Sequence, residues 1–211
     1  MKPIYRVGHT VCRFVARFGF SFSVYGRENL IEDGPAIVAS NHQSYLDPPL
    51  IGCAHHGELH YLARSTLFDH RLLGWFLKRV NTVPVDRDRG DIAAIKTIIR
   101  LVKEGHRVII FPEGTRSLDG QLQQARSGLG MVIAKTGAPV VPVRLFGTFE
   151  ALPKTGGLRF VPVSMVVGQP LRFTAQELAS KDRELYQRLS DRVMEQIANL
   201  RVPGEGVDSR Q

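Results

Sequence analysis

The sequence predicts a single-domain α/β layered fold, a mixed sheet of roughly seven strands flanked by helices. Three observations carry that prediction. Apolar runs of strand length alternate along the chain with stretches whose apolar residues recur at helical spacing. A length of 211 residues, 43% hydrophobic and 23% charged, suits one domain with a sizeable core. No internal repeat, low-complexity tract or linker divides it. Residues 1–19 are expected to form an amphipathic membrane-interface helix, 20–201 the main domain and 202–211 a polar, disordered tail.

The elements follow in order. Val11, Phe14, Val15 and Phe18 form one face of the first helix, while Arg6, Arg13 and Arg17 lie largely elsewhere on it. That is the pattern of a helix lying in a membrane interface, the reading favoured because the basic residues would meet anionic headgroups; the alternative is a helix packing Phe14 and Phe18 onto the domain. Alternation over Phe20–Tyr25 predicts a strand closed by Gly26, and Glu32-Asp33-Gly34-Pro35 a turn. Ala36–Ser40 is a buried strand. A loop then enters a helix through Leu50 and Ile51, with Pro48 and Pro49 suited to its first turn. Leu59–Ala63 and Thr82–Val85 read as strands around a short amphipathic stretch from His70 to Lys78.

Asp91 caps a helix whose inner face is Ile95, Ile98, Ile99 and Val102, stopped by Gly105. Val108–Phe111 is a strand, Leu129–Lys135 a helix stopped by Gly137, and Pro139–Phe146 and Arg159–Val167 are long apolar strands. Ala175–Leu200 is expected to be one long amphipathic helix with Leu178, Leu185, Leu189, Val193 and Ile197 inward.

No stretch reaches the 18 or so consecutive apolar residues of a spanning helix, and the N-terminus lacks the compact apolar core of a signal peptide. Cys12 and Cys53 cannot form a disulfide framework and read as free thiols in a reducing compartment. The net charge of +8 favours an anionic partner: nucleic acid, an anionic membrane surface or phosphorylated substrates. Nucleic acid is disfavoured, because the chain has neither a basic stripe interleaved with aromatics nor a recognisable reading module. Cys53, His55, His56, Glu58 and His60 crowd one segment, but Gly57 breaks any helix there and zinc spacing is absent, so no metal is expected. These histidines read as solvated residues at a helix end.

Chemistry is concentrated in two places. Asn41-His42-Gln43-Ser44-Tyr45-Leu46-Asp47 follows the apolar run 36–40, and Phe111-Pro112-Glu113-Gly114-Thr115-Arg116-Ser117 follows the run 108–110. Sites of open α/β sheets form at the carboxyl ends of strands, so two such segments can share one cleft. A neutral His42 can take a proton from a hydroxyl near pH 7, and Asp47 can hold its other ring nitrogen. Arg116 suits a phosphate monoester. Asn41 or nearby main-chain amides are candidates to stabilise an oxyanion. Taken alone, each segment also fits a bland reading, a capping pair or a solvated turn.

Together the segments resemble the signature of the glycerolipid acyltransferases, of the 1-acyl-sn-glycerol-3-phosphate acyltransferase type. The first matches the family's His-x4-Asp pattern and the second its Glu-Gly-Thr-Arg pattern. Val85-Asp86-Arg87 resembles its Ile-Asp-Arg segment, and Val140-Val141-Pro142-Val143 its fourth motif. Asn81 stands where many members have glycine, and Arg126-Ser127-Gly128 where a lysine-rich stretch is common.

The resemblance implies transfer of a fatty acyl group from an acyl thioester, on coenzyme A or acyl carrier protein, to the sn-2 hydroxyl of 1-acylglycerol 3-phosphate. It makes His42 the base and Asp47 its partner. Arg87 and Arg116 become phosphate ligands, and Asn41, Glu113, Gly114 and Thr115 further substrate-binding residues. It implies no metal or tightly held cofactor, and a peripheral enzyme on the cytoplasmic face of the cell membrane. Another phosphate-bearing or lysolipid acceptor, or a non-catalytic binder of anionic lipid, are the readings that stand beside it.

Overall fold

The computed structural model describes residues 1–85, 91–180 and 182–204. Helix α1 (Pro3–Gly19) precedes β1 (Ser23–Tyr25), β2 (Ala36–Ser40), α2 (Asp47–Ala54) and β3 (Tyr61–Arg64). Then come α3 (Arg71–Arg79), β4 (Thr82–Val85), α4 (Asp91–Lys103), β5 (Arg107–Ile110) and α5 (Gly128–Thr136). The chain ends with β6 (Val140–Phe146), α6 (Thr148–Ala151), β7 (Ser164–Val167) and α7 (Arg183–Asn199).

The seven strands of the described residues divide five and two. The larger sheet runs β1-β7-β6-β2-β5, with β6, β2 and β5 parallel and β7 antiparallel to β6. Strands β3 and β4 pair in parallel, and a single bridge, His60 to Val108, joins them to the β5 edge. The mixed α/β architecture is as expected from the sequence.

Strand β2 is buried along its whole length because helices cover both faces of the sheet. Ile37 and Ala39 point into a core closed by α4, α5 and α7, through Ile98, Val132, Ile133, Leu189 and Val193. Val38 points to the other face, under Ile51 and Ala54 of α2. A third cluster of Ala16, Phe20, Leu50 and Cys53 seats α1 on α2.

Several expectations are corrected. The long strand from Arg159 is paired only from Ser164, because Pro162 lacks an N–H and the chain before it passes against Gly147. Helix α7 starts at Arg183, not Ala175: the Asp182 side chain accepts from the Leu185 N–H at 2.6 Å and fixes the N-terminus there. Leu178 still packs on the core, but from a turn. His55 is fully buried, its Nδ1 3.0 Å from the Ile51 carbonyl, and His60 packs against the tilted His106 ring, so neither is the solvated histidine the sequence suggested. Val202 packs inward at 7% exposure, so the ordered domain reaches past residue 201.

Helix α1 is held by its inner side. The Tyr5 hydroxyl accepts from the Leu59 N–H at 3.0 Å and meets the Tyr61 hydroxyl at 3.1 Å, and His9 Nε2 lies 2.8 Å from the His55 carbonyl. Phe14 and Phe18 contact each other in a tilted arrangement and stay 63% and 72% exposed, which overturns the reading that they pack onto the domain. Among the described residues no helix is long and apolar enough to cross a membrane.

Candidate active site

Strands β2 and β5 are parallel neighbours in register from Ala36–Arg107 to Ala39–Ile110, so their following loops leave the same edge of the sheet. This brings the two sequence motifs together across about seventy residues of chain. The His42 N–H donates to Glu113 Oε1 at 3.0 Å, and the Ser117 N–H donates back to the His42 carbonyl at 2.8 Å. The His42 ring stacks on Phe111, centroids 3.9 Å apart and 16° from parallel. Histidine is thus fixed in position by the second motif as well as by its own loop.

Asp47 opens α2 and is fully buried. Its Oδ2 lies 2.8 Å from His42 Nδ1 and accepts the main-chain N–H groups of Gln43 and Ser44, each at 2.7 Å. A carboxylate receiving three donors in the first turn of a helix is held in one orientation. It makes Nδ1 the protonated nitrogen of a neutral imidazole and leaves the Nε2 lone pair free to accept a proton. The loop between them is braced by Ser44, whose hydroxyl donates to the Leu152 carbonyl at 2.8 Å, and by Gln43, which donates to the Gly120 carbonyl.

Glu113 is 2% exposed, with Oε2 enclosed and unpartnered. Burial pushes its carboxyl up to about 7; the main-chain N–H groups of His42 and Gln123 pull it down, and the charge of Asp47 adds to the rise. The unfolded chain ionises near the ordinary glutamate value, so from there to about pH 7 it sheds its proton before the folded protein does. Stability contributed by this group is therefore full at low pH and lost as pH rises through 7. Glu113→Gln keeps an acceptor for the His42 N–H and has no charge to lose. It should raise the unfolding free energy at pH 8 by about 1 to 3 kcal/mol and leave it nearly unchanged at pH 5. Denaturant melts at the two pH values check this, and an equal effect at both would contradict it.

Gly114 sits at φ +71°, and a Cβ there would meet the Arg126 side chain at 2.9 Å. Glycine thus serves both the turn and the close approach of Arg126, whose N–H donates to the Pro112 carbonyl at 2.9 Å. Thr115 is half-buried beside it. The Arg116 guanidinium lies 3.5 Å from the centroid of the Tyr45 ring, with Nη1 enclosed and bonded to nothing. Tyr45 belongs to the first motif, so this cation–π contact ties the cation of one loop to the base of the other.

Of the residues expected from the sequence, His42, Asp47, Glu113, Gly114, Thr115 and Arg116 come together. Asn41 is adjacent but turned inward: at 1% exposure its amide donates to the Leu145 carbonyl at 3.0 Å and accepts the Leu145 N–H at 2.8 Å. It clamps β2 to β6 and does not face the cleft as an oxyanion donor would. Arg87 and Asp86 lie outside the described residues. Sequence reasoning missed Tyr45, Phe111 and Arg126 as parts of the site; each acts through a stacking or close approach that has no sequence period. Asn81, noted as replacing a glycine, has φ +56°, a conformation that favours glycine and then asparagine. No group of three or more metal-ligating side chains converges among the described residues.

A His–Asp pair and an arginine-bearing loop meet at the carboxyl edge of the sheet, and the chain belongs to the acyltransferase family, whose sequence profile matches residues 21–145. A 1-acyl-sn-glycerol-3-phosphate acyltransferase of Bacillus subtilis is 34% identical over 180 residues, covering 82% of this chain and 86% of the relative. A chloroplastic protein of that name from Brassica napus is 34% identical over 172 residues, and the chain spans about half its length, 49%. The crystal structure of the 1-acyl-sn-glycerophosphate acyltransferase PlsC from Thermotoga maritima superposes with a TM-score of 0.71 at 28% identity, covering 95% of this chain and 80% of that one.

Proposed function

We propose that this protein transfers a fatty acyl group from an acyl thioester to the sn-2 hydroxyl of 1-acyl-sn-glycerol 3-phosphate, producing phosphatidic acid for phospholipid synthesis. The observation that carries the reading is the His42–Asp47 pair with a free Nε2, facing a loop whose Arg116 has an unsatisfied, enclosed nitrogen. The relatives' names point to the same reaction.

In the proposed reaction His42 Nε2 takes the proton of the acceptor hydroxyl as its oxygen attacks the thioester carbonyl. The C–O bond forms, the C–S bond breaks, and the imidazolium returns the proton to the leaving thiolate. Asp47 stabilises the imidazolium. Arg116 binds the acceptor phosphate with a planar fork that Tyr45 keeps in place. Arg87 is proposed as a second phosphate ligand, and Glu113, Gly114 and Thr115 as the frame of that pocket. This proton transfer is complete without a metal or a bound cofactor.

The lipid substrate is proposed to arrive from an anionic membrane surface, at the cytoplasmic leaflet where a soluble thioester donor (coenzyme A or acyl carrier protein) is also present. An apolar groove of about 550 Å³ lies between α1, α2 and α3 and reaches Leu46 and Pro49, beside Asp47. It opens among Val7, Val11, Trp75 and Phe76, all substantially exposed. An acyl chain in that groove would pass from the bilayer toward the dyad. Phe14→Glu with Phe18→Glu should weaken liposome binding about ten-fold or more, since it removes two exposed aromatics that would enter the bilayer and adds two charges facing lipid. Equal sedimentation of variant and parent would refute the membrane role of α1.

The acceptor is tested by offering palmitoyl and oleoyl thioesters with lysophosphatidic acid or with glycerol 3-phosphate and following thiol release. Release that needs lysophosphatidic acid is the expected result. Release with glycerol 3-phosphate alone would move the acceptor to that alcohol, and none with either would leave a different lysolipid or a binding role.

A further inference from the structure

Three arginines converge on a cavity far from the dyad. Arg13 and Arg17 of α1 and Arg27 of the turn after β1 line a space of about 220 Å³, floored by Phe22, Val24 and Ala54. The cavity lies at the carboxyl end of α2, while Asp47 opens that helix. The two ends are about 10 Å apart at 1.5 Å per residue, so the cavity is separate from the catalytic cleft.

The local structure assembles this cluster deliberately. Arg13 and Arg17 are four residues apart on α1 and so project from the same side, although like charges at that spacing disfavour a helix. No acidic residue occurs anywhere in α1 to offset them. Gly26, at φ +71°, makes the turn that carries Arg27 beneath α2, and a Cβ there would run into the Val167 carbonyl at 2.3 Å. Arg27 Nη2 donates to the Ala54 carbonyl at the negative end of α2, which anchors the guanidinium. Its Nε is shielded from solvent and bonded to nothing. Among the described residues no carboxylate pairs with any of the three. An enclosed donor and three cations without a carboxylate partner suit an anion, and planar guanidinium forks match phosphate oxygens.

We propose that this cavity is a phosphate-binding site filled by the headgroup of an anionic membrane phospholipid. The membrane source is favoured over free phosphate because Val11, Phe14, Val15 and Phe18 of the same helix are all exposed alongside it. A headgroup held by Arg13 and Arg17 leaves its acyl chains next to that apolar face. The site goes beyond acyl transfer: it sets which lipid surface the enzyme sits on, and it stands whether or not the proposed acceptor is right.

The test has two readouts, neither of which is activity. Vesicle flotation compares phosphatidylcholine with phosphatidylcholine doped with phosphatidylglycerol. Arg13→Gln with Arg17→Gln should lose about ten-fold or more of the gain that phosphatidylglycerol confers. Arg6→Gln with Arg71→Gln removes the same charge from exposed positions outside the cavity and should lose clearly less. Equal losses in the two pairs would overturn the site in favour of diffuse attraction. In the second readout the Arg27 Nε–H resonance is followed while a short-chain phosphatidylglycerol or inorganic phosphate is added. A shift with the lipid at concentrations where phosphate gives none is expected. A response to phosphate alone would overturn the lipid assignment, and no response to either would overturn the site.

Discussion

His42→Ala should lower turnover by at least three orders of magnitude while leaving the fold intact. One positioned base is worth about 10² to 10⁴ in rate, and this one also orients the attacking hydroxyl. The side chain is not a core element: 18% of it is exposed, and its bonds run to the Asp47 carboxylate and the face of Phe111. The variant leaves Asp47 Oδ2 with the N–H groups of Gln43 and Ser44, so the loop keeps two of its three anchors. A folded variant with near-parent turnover would remove His42 from the chemistry, and with it the account of Asp47.

Arg116→Ala should chiefly raise the Michaelis constant for the acceptor, by about 10- to 100-fold, with a smaller change in kcat. A charge-assisted contact to a phosphate contributes about 1.5 to 3 kcal/mol, and substrate and transition state carry the same phosphate. Truncation also frees Tyr45, which is 59% exposed and has the guanidinium as its stacking partner. Arg116→Lys should recover only part of the loss, because an ammonium has neither the fork nor the flat face that stacks on the ring. The thioester donor's Michaelis constant is the internal control. An unchanged acceptor constant in Arg116→Ala would refute the phosphate role.

Much of this was readable from the chain because the chemistry begins where strands end. The apolar runs 36–40 and 108–110 are parallel neighbours, and that one pairing places His42 beside Glu113 and Arg116 near Tyr45. Residue types with a single strong physical use, the His42–Asp47 pair above all, were identified correctly as neighbours. The sequence alone does not orient Asn41, because an amide beside His42 can face either way. Its inward turn follows from the Leu145 main chain, which only the β2–β6 register places opposite. The start of α7 was set too early because the apolar spacing runs on through Leu178, while the Asp182 cap is a local event that periodicity does not record. The exposed aromatic face of α1 was open between lipid and protein until Tyr5 and His9 showed which side of the helix is already engaged.

The most direct test of direct attack by an activated acceptor is a single-turnover experiment with acyl-labelled oleoyl thioester and enzyme in stoichiometric amounts. The account predicts no thiol release and no labelled protein until lysophosphatidic acid is added, then one thiol released for each phosphatidic acid formed. Thiol release without acceptor, with the label carried covalently on the protein, would contradict it.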